Sequence, residues 1–222
     1  MTPLAANLLA ALPQTQCTRC SYPDCAAYAE AVSAGAAGIN QCPPGGQQGV
    51  ARLAAIMGQP TVPLNAVHGV EGPRTMAFID ENWCIGCTLC IKACPTDAIM
   101  GSNKLMHTVI EAYCTGCELC LPVCPVDCIE LENVTGNATG WEAWSPQQAE
   151  LARQRYTFHT LKTQREEIEN AQRLEGKALM KLADLSHHSQ HTDPFVLDKK
   201  RAVIQAALAR ARAKQATTKT GS

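Results

Sequence analysis

Four cysteines fall within the stretch "CIGCTLCIKACPTDAI" (84–99), and the pattern returns as "CTGCELCLPVCPVDCI" (114–129). Each copy reads C-x2-C-x2-C-x3-C-P. Thiols this dense are held by disulfides or by metal. The chain opens "MTPLAANLLAALPQTQ", with no Lys or Arg before its apolar run and no small-residue cleavage site, so no secretory signal is expected. No stretch approaches the ~18 apolar residues of a membrane span. Reduced thiols and a metal are therefore the expectation.

Structural zinc sites usually pair two short knuckles separated by a dozen or more residues. Here four thiolates follow one tight loop and the turn after it, a spacing that suits the four irons of a [4Fe–4S] cube. The x2 gaps let three thiolates converge on one cluster, while the fourth points away and serves the other. Neither repeat completes its own site, which accounts for the duplication. Cys84, Cys87, Cys90 and Cys124 are expected to hold one cluster. Cys114, Cys117, Cys120 and Cys94 are expected to hold the second.

Flanking residues follow the same duplication. Gly86 and Gly116 occupy the first x2 gap, where positive φ is expected. Pro95 and Pro125 follow the fourth thiols and redirect the chain. Cys128 aligns with Ala98 and reads as a packed free thiol. Trp83 and Tyr113 also align, either as shields for the clusters or as ordinary packing. "MAFID" (76–80) and "IELEN" (129–133) read as strands bracketing the unit, and "GSNK" as a turn between "AIM" and "HTVI". The expected result is two small hairpins, each with a short helix, in an α+β ferredoxin fold.

A third set precedes these: Cys17, Cys20, Cys25 and Cys42, spaced C-x2-C-x4-C-x16-C. Between its last two members, "AAYAEAVSAGAAG" reads as a short helix and a Gly-broken loop. Zinc stays open for this set. Beside two clusters in the same chain, a third [4Fe–4S] cluster is the reading adopted. The chain has 13 cysteines, three sets of four and one spare.

The stretch "CTRCSYPDCAAYAEAV…INQCPPGG", followed by both repeats and the intervening "KLMHTV", resembles the B subunit of the Rnf/Rsx electron-transport complex over about residues 15–133. That resemblance implies an N-terminal [4Fe–4S] domain and a two-cluster ferredoxin domain. These carry electrons beside membrane partners that couple electron flow to ion movement. The three ligand sets match the family's motifs position by position. Members of that family usually begin with a membrane-anchoring helix, absent from these first residues, and this chain adds a region of about ninety residues at its C-terminus. A soluble relative is expected, cytoplasmic or peripheral at the inner membrane.

"GQPTVPLNAVHGVEGPR" (58–74) reads as a linker or an irregular strap. His68 and His107 lie near thiols in sequence, but the ligand sets are complete without them, so packing or surface polarity is expected. From Ser145 a helix is expected, with Pro146 at N1 and Gln148 at N3. It runs to about Leu185 on an imperfect stripe of Leu151, Phe158, Leu161, Ile168, Leu179 and Leu182. "SHHSQHT" interrupts it; His187, His188 and His191 read as a solvated turn. A second helix restarts at Asp193 and Pro194, making a helical hairpin, and "ATTKTGS" is expected to fray. The domains read as 1–57, a linker 58–75, the ferredoxin unit 76–135 and the helical extension 136–222.

Residues 76–135 carry eight acids and two bases, a formal −6; residues 136–222 carry nine acids and 14 bases, a formal +5. The basic helices could pack on the acidic redox module or steer an acidic partner. They lack the interleaved aromatics of a nucleic-acid surface. "GAAGINQCPPGG" has no GxGxxG spacing, so no nucleotide site is expected. The function read from the sequence is an electron carrier with three [4Fe–4S] clusters, serving redox partner proteins that include Rnf-like membrane subunits. It is not an enzyme with a substrate of its own. The alternative is a scaffold or regulatory protein with structural clusters and a basic interaction surface.

Overall fold

The fold comes from a computed structural model that describes residues 1–220. The chain divides into two compact units, Met1–Thr160 and the residues from Leu161 onward. The first unit mixes helix and sheet; the second is helical.

Three helices build the N-terminal part: α1 (Pro3–Ala10), α2 (Cys25–Ser33) and α3 (Gly46–Met57). Thr2 caps α1 through its side chain, and Asp24 caps α2. Leu8, Leu12, Tyr28, Val32, Val50 and Leu53 interlock in one core. Burying each such side chain contributes about 1.5–3 kcal/mol. The cysteines of this region therefore sit on a framework with apolar packing of its own. The segment read as a linker or strap runs as a strap over this framework. His68 tethers it, with one ring nitrogen 2.7 Å from the Gln41 amide nitrogen and the other 3.2 Å from the Arg19 carbonyl.

The ferredoxin part holds β1 (Thr75–Ile79), α4 (Leu89–Ala93), β2 (Ile99–Met100), β3 (Thr108–Val109) and β4 (Ile129–Asn133). β2 and β3 form the hairpin expected around "GSNK". β1 instead pairs antiparallel with β4, Ile79 opposite Ile129, so the two ends of the module close on each other across both repeats. The expected second hairpin is thus a long-range pair. Its core comprises Ala77, Ile79, Ala98, Ile99 and Ile129 together with buried cysteines. Cysteines make up a larger share of this core than of its neighbour's.

α5 (Pro146–Ala183) and α6 (Pro194–Thr220) follow. Both starts are as read from the sequence. Ser145 and Gln148 exchange side-chain-to-backbone bonds of 3.1 and 2.9 Å, a capping box. Asp193 accepts from the Phe195 N–H at 2.8 Å. The two helices of the second unit form a hairpin, tied by Arg212 to Glu175 at 2.6 Å and by Lys200 to Ser189. Phe158, Leu161, Ile168 and Leu179 are exposed rather than gathered into a buried stripe. His187, His188 and His191 lie at the break between the helices, where Asp184 accepts from the His187 N–H. Of the expected frayed tail, Gly221 and Ser222 lie outside the described residues.

The compact first unit extends past residue 136, the boundary read from the charge reversal, to Thr160. Trp141 and Trp144 are buried, with Ala143 and Ala149, in a small core. Trp141 donates its indole N–H to the Ala11 carbonyl at 3.1 Å and stacks under Arg52. Tyr156 donates to Asp24 at 3.0 Å, and Arg155 to the Thr96 carbonyl at 3.1 Å. Residues 139–160 therefore brace the N-terminal part and the ferredoxin part together.

Candidate iron–sulfur sites

The loop Gln14–Ser21 carries Cys17 and Cys20. Four non-glycine residues in it, Gln14, Gln16, Thr18 and Ser21, have positive φ. Each such residue costs of order 1–3 kcal/mol unless its surroundings hold it. Buried amides supply part of that support: Gln16 accepts from the Cys25 N–H at 3.0 Å and lies 3.3 Å from the Gln14 side-chain oxygen. Cys25 opens α2, and Cys42 precedes the turn Pro43–Gly45. The four thiols feel one another. Burial, then the charges of Cys42, Cys17 and Cys20, push Cys25 well above an ordinary thiol. Burial, then Cys17, push Cys42 up to about 12. Burial likewise raises Cys17 and Cys20.

In the ferredoxin part the two repeats have the same backbone. Gly86 and Gly116 have φ of 66° and 67°; Thr88 and Glu118 both 65°; Asp97 and Asp127 51° and 49°. At the two glycines the requirement is steric as well. A Cβ on Gly86 would lie 2.6 Å from the Leu105 backbone nitrogen, and one on Gly116 would collide with the Thr75 carbonyl oxygen.

Cys94, the fourth thiol of the first repeat, turns to the second repeat. Burial and the charges of Cys117, Cys114 and Cys94 lift Cys120 to about 12; burial and then Cys94 and Cys114 do the same to Cys117. Cys94 thus lies with the second repeat's three thiols. Burial, with Cys87 and Cys84, raises Cys90 to about 11. Cys124 reaches the Cys84 side through Cys128, which interacts with both. Burial opposes ionisation of Cys124, but the N–H groups of Val126, Cys128 and Asp127, with the Cys128 side chain, hold it below the usual thiol range. Further N–H groups point at sulfur: Ala98 to Cys94 at 3.1 Å and Ala77 to Cys114 at 3.4 Å.

Clustered thiols that repel one another when ionised, and that receive backbone N–H groups, suit a group carrying several positive irons. Among the described residues no three His, Cys, Asp or Glu side chains close on a single-ion site.

The other singled-out residues separate. Trp83 is 69% exposed and shields nothing. Tyr113 is half-buried beneath the Arg155 guanidinium, 4.2 Å from its ring centre. His107 is buried with Nδ1 3.2 Å from Cys90 Sγ, a contact that the sequence reading missed. Missed too was the brace at 139–160, whose one local signal was two tryptophans close together in "WEAW".

These sites define an iron–sulfur protein. Residues 77–131 match the family model of a 4Fe-4S dicluster domain, and residues 12–44 that of a putative Fe-S cluster. The chain is 57% identical over 108 residues to the B subunit of the ion-translocating oxidoreductase complex from Azoarcus sp. (strain BH72), covering 49% of this chain and 59% of that one. Proteins of the same name from Shewanella oneidensis and Pseudomonas paraeruginosa are each 53% identical, over 139 and 144 residues. These matches cover 63% and 65% of this chain and 71% and 74% of theirs. The chain belongs to this B-subunit family, in agreement with the Rnf resemblance. It spans 59% and 57% of the lengths of two of its relatives, those of Azoarcus and Thiobacillus denitrificans.

Proposed function

We propose that this chain is an electron carrier with three [4Fe–4S] clusters. Cys17, Cys20, Cys25 and Cys42 hold the first. Cys84, Cys87, Cys90 and Cys124 hold the second, and Cys114, Cys117, Cys120 and Cys94 the third. The observation that carries this reading is the duplicated backbone of 84–99 and 114–129, with Cys94 set beside the second repeat's thiols. A [4Fe–4S] cluster, when bound, takes up and releases electrons at a potential that the protein sets. The chain's part is to supply twelve thiolates, to aim N–H groups at them, and to keep water from the buried ones.

The partners follow from the relatives. They are named as subunits of an ion-translocating oxidoreductase complex, so this chain exchanges electrons with the other subunits of such a complex. None of the described helices is long and apolar enough to cross a membrane. The three domains run 1–57, 76–135 and the helical region, with 139–160 bracing the first two.

Iron and sulfide counting on anaerobically purified protein, with EPR of the reduced form, tests this. About twelve iron and twelve sulfide per chain are expected, four of each per cluster. Eight iron and one zinc would restrict the reading to the ferredoxin part. Zinc throughout would end it.

A further inference from the structure

The two ferredoxin repeats share backbone conformation but not the side chains that reach their thiols. His107 is 1% exposed, and its Nδ1 lies 3.2 Å from Cys90 Sγ. A thiolate only accepts, so Nδ1 carries the proton and donates to sulfur. The other nitrogen, Nε2, is buried and finds no partner. His107 thus directs one N–H at Cys90. Cys128 makes a second such contact. It stands where the first repeat has Ala98, is 7% exposed, and puts its sulfur 3.5 Å from Cys124 Sγ. As a thiol it donates to the Cys124 thiolate.

The other four thiols receive backbone N–H groups, Ala98 to Cys94 and Ala77 to Cys114, but the side-chain hydroxyls near them are committed elsewhere. Thr96 Oγ1 is 3.7 Å from Cys94 Sγ but gives its proton to the Tyr113 carbonyl at 2.8 Å. Thr115 Oγ1 gives its proton to the Thr15 carbonyl at 2.9 Å. A hydroxyl has one proton to donate.

Hydrogen bonds to the sulfurs of an iron–sulfur cluster are one of the levers that set its potential. They favour the reduced state because it carries the additional negative charge. We propose that His107 and Cys128 are tuning residues that raise the reduction potential at the site of Cys84, Cys87, Cys90 and Cys124, so that the two sites of the ferredoxin pair are unequal. This rests on the three-cluster reading above.

The test is an EPR-monitored redox titration of the full-length, cluster-loaded chain as wild type, Cys128→Ala, Cys128→Ser, His107→Leu and the His107→Leu/Cys128→Ala double variant. Iron is counted first. In the double variant one midpoint falls so that the reduced fraction at fixed poise drops about tenfold, about 59 mV for one electron. The other midpoints stay in place. Cys128→Ser, which keeps an O–H donor, stays closer to wild type than Cys128→Ala. The alanine variant introduces only what the first repeat already carries at Ala98, so it retains its clusters even if His107→Leu does not. Unchanged midpoints in Cys128→Ala and the double variant overturn the proposal, as does an equal shift at every site. Wild-type protein with fewer than eight cluster irons instead removes the reading beneath it.

Discussion

The N-terminal site and the ferredoxin pair use the same ligand chemistry on opposite structural plans. Cys17, Cys20, Cys25 and Cys42 hang on three helices with a packed apolar core of Leu8, Leu12, Tyr28, Val32 and Leu53. The ferredoxin thiols are themselves a large part of their module's core, and in the reading proposed above each repeat lacks one ligand of its own set. The first region has packing that does not depend on its metal. The second gains most of its cohesion when metal binds, since ligand and core are the same atoms. The contrast makes the first site separable and the second pair interdependent.

The largest effect expected is the one that separates them most sharply. Cys42→Ser should remove about four iron per chain, one cluster, and leave the ferredoxin signals as they are. Cys94→Ser should damage the site of Cys114, Cys117 and Cys120 while comparatively sparing the one nearer to it in sequence. Iron counts and EPR of the two variants check this. Loss confined to the Cys84–Cys90 site in Cys94→Ser would mean that each repeat binds its own cluster, and the contrast would collapse.

Truncation comes next in size. Ending the chain after residue 160 removes only the second unit and should leave iron content and melting temperature near wild type. Ending it at about residue 140 deletes Trp141 and Trp144, and losing one buried tryptophan alone costs about 3–5 kcal/mol. The shorter truncation should lose solubility and clusters together. Equal behaviour of the two truncations would show that residues 139–160 brace nothing. With the 160-residue form in hand, electron delivery to the partner subunits at varied salt tests whether the basic helices steer, since exposed charges are screened within about 8 Å at physiological ionic strength.

Gly116→Ala is expected to follow. The new Cβ meets the Thr75 carbonyl oxygen at a residue with φ of 67°. Backbone strain and overpacking together cost about 2–5 kcal/mol. Because β1 pairs with β4 just beside this turn, the ferredoxin signals should weaken while the N-terminal site persists. Loss of both at once, read by cluster absorbance on thermal melting, would contradict the separability of the two regions.

What could be read from the sequence was what is local in it. The twelve candidate ligands, the matched Gly86 and Gly116, and the capping box at Ser145 all show within a few residues, because short chain segments dictate those geometries. α3 was not legible: it begins on Gly46 with no side-chain cap. The pairing of β1 with β4 was only half legible. Both strands alternate, but the sequence does not say that Ile79 closes on Ile129, 50 positions away. The His107–Cys90 contact and the brace from Trp141 to His159 depend on which segments meet. The charge reversal near residue 136 drew attention to a boundary that packing ignores. His159 and Arg155, read as parts of a separate helix, meet Asp97 on the loop after Cys94, His159 at 2.8 Å.

The smallest effect tests the brace at one bond. Tyr156 lies beside Asp24, the cap of α2; burial, then the hydrogen bond to the Asp24 carboxylate and its charge, raise its phenol to about 12. An unfolded tyrosine titrates near 10. A folded-state pKa above the unfolded one means that the bond's stabilisation is complete below about pH 10 and is lost as pH rises toward about 12. Tyr156→Phe removes a bond of about 1 kcal/mol at neutral pH. Its stability deficit relative to wild type should therefore shrink as pH climbs past 10, because wild type is losing the same interaction. Comparing both as loaded proteins keeps the ligand cysteines out of the difference. Denaturant midpoints taken from neutral pH upward check it: converging curves support a bond between α5 and the N-terminal region, whereas parallel curves would mean that Tyr156 packs there without one.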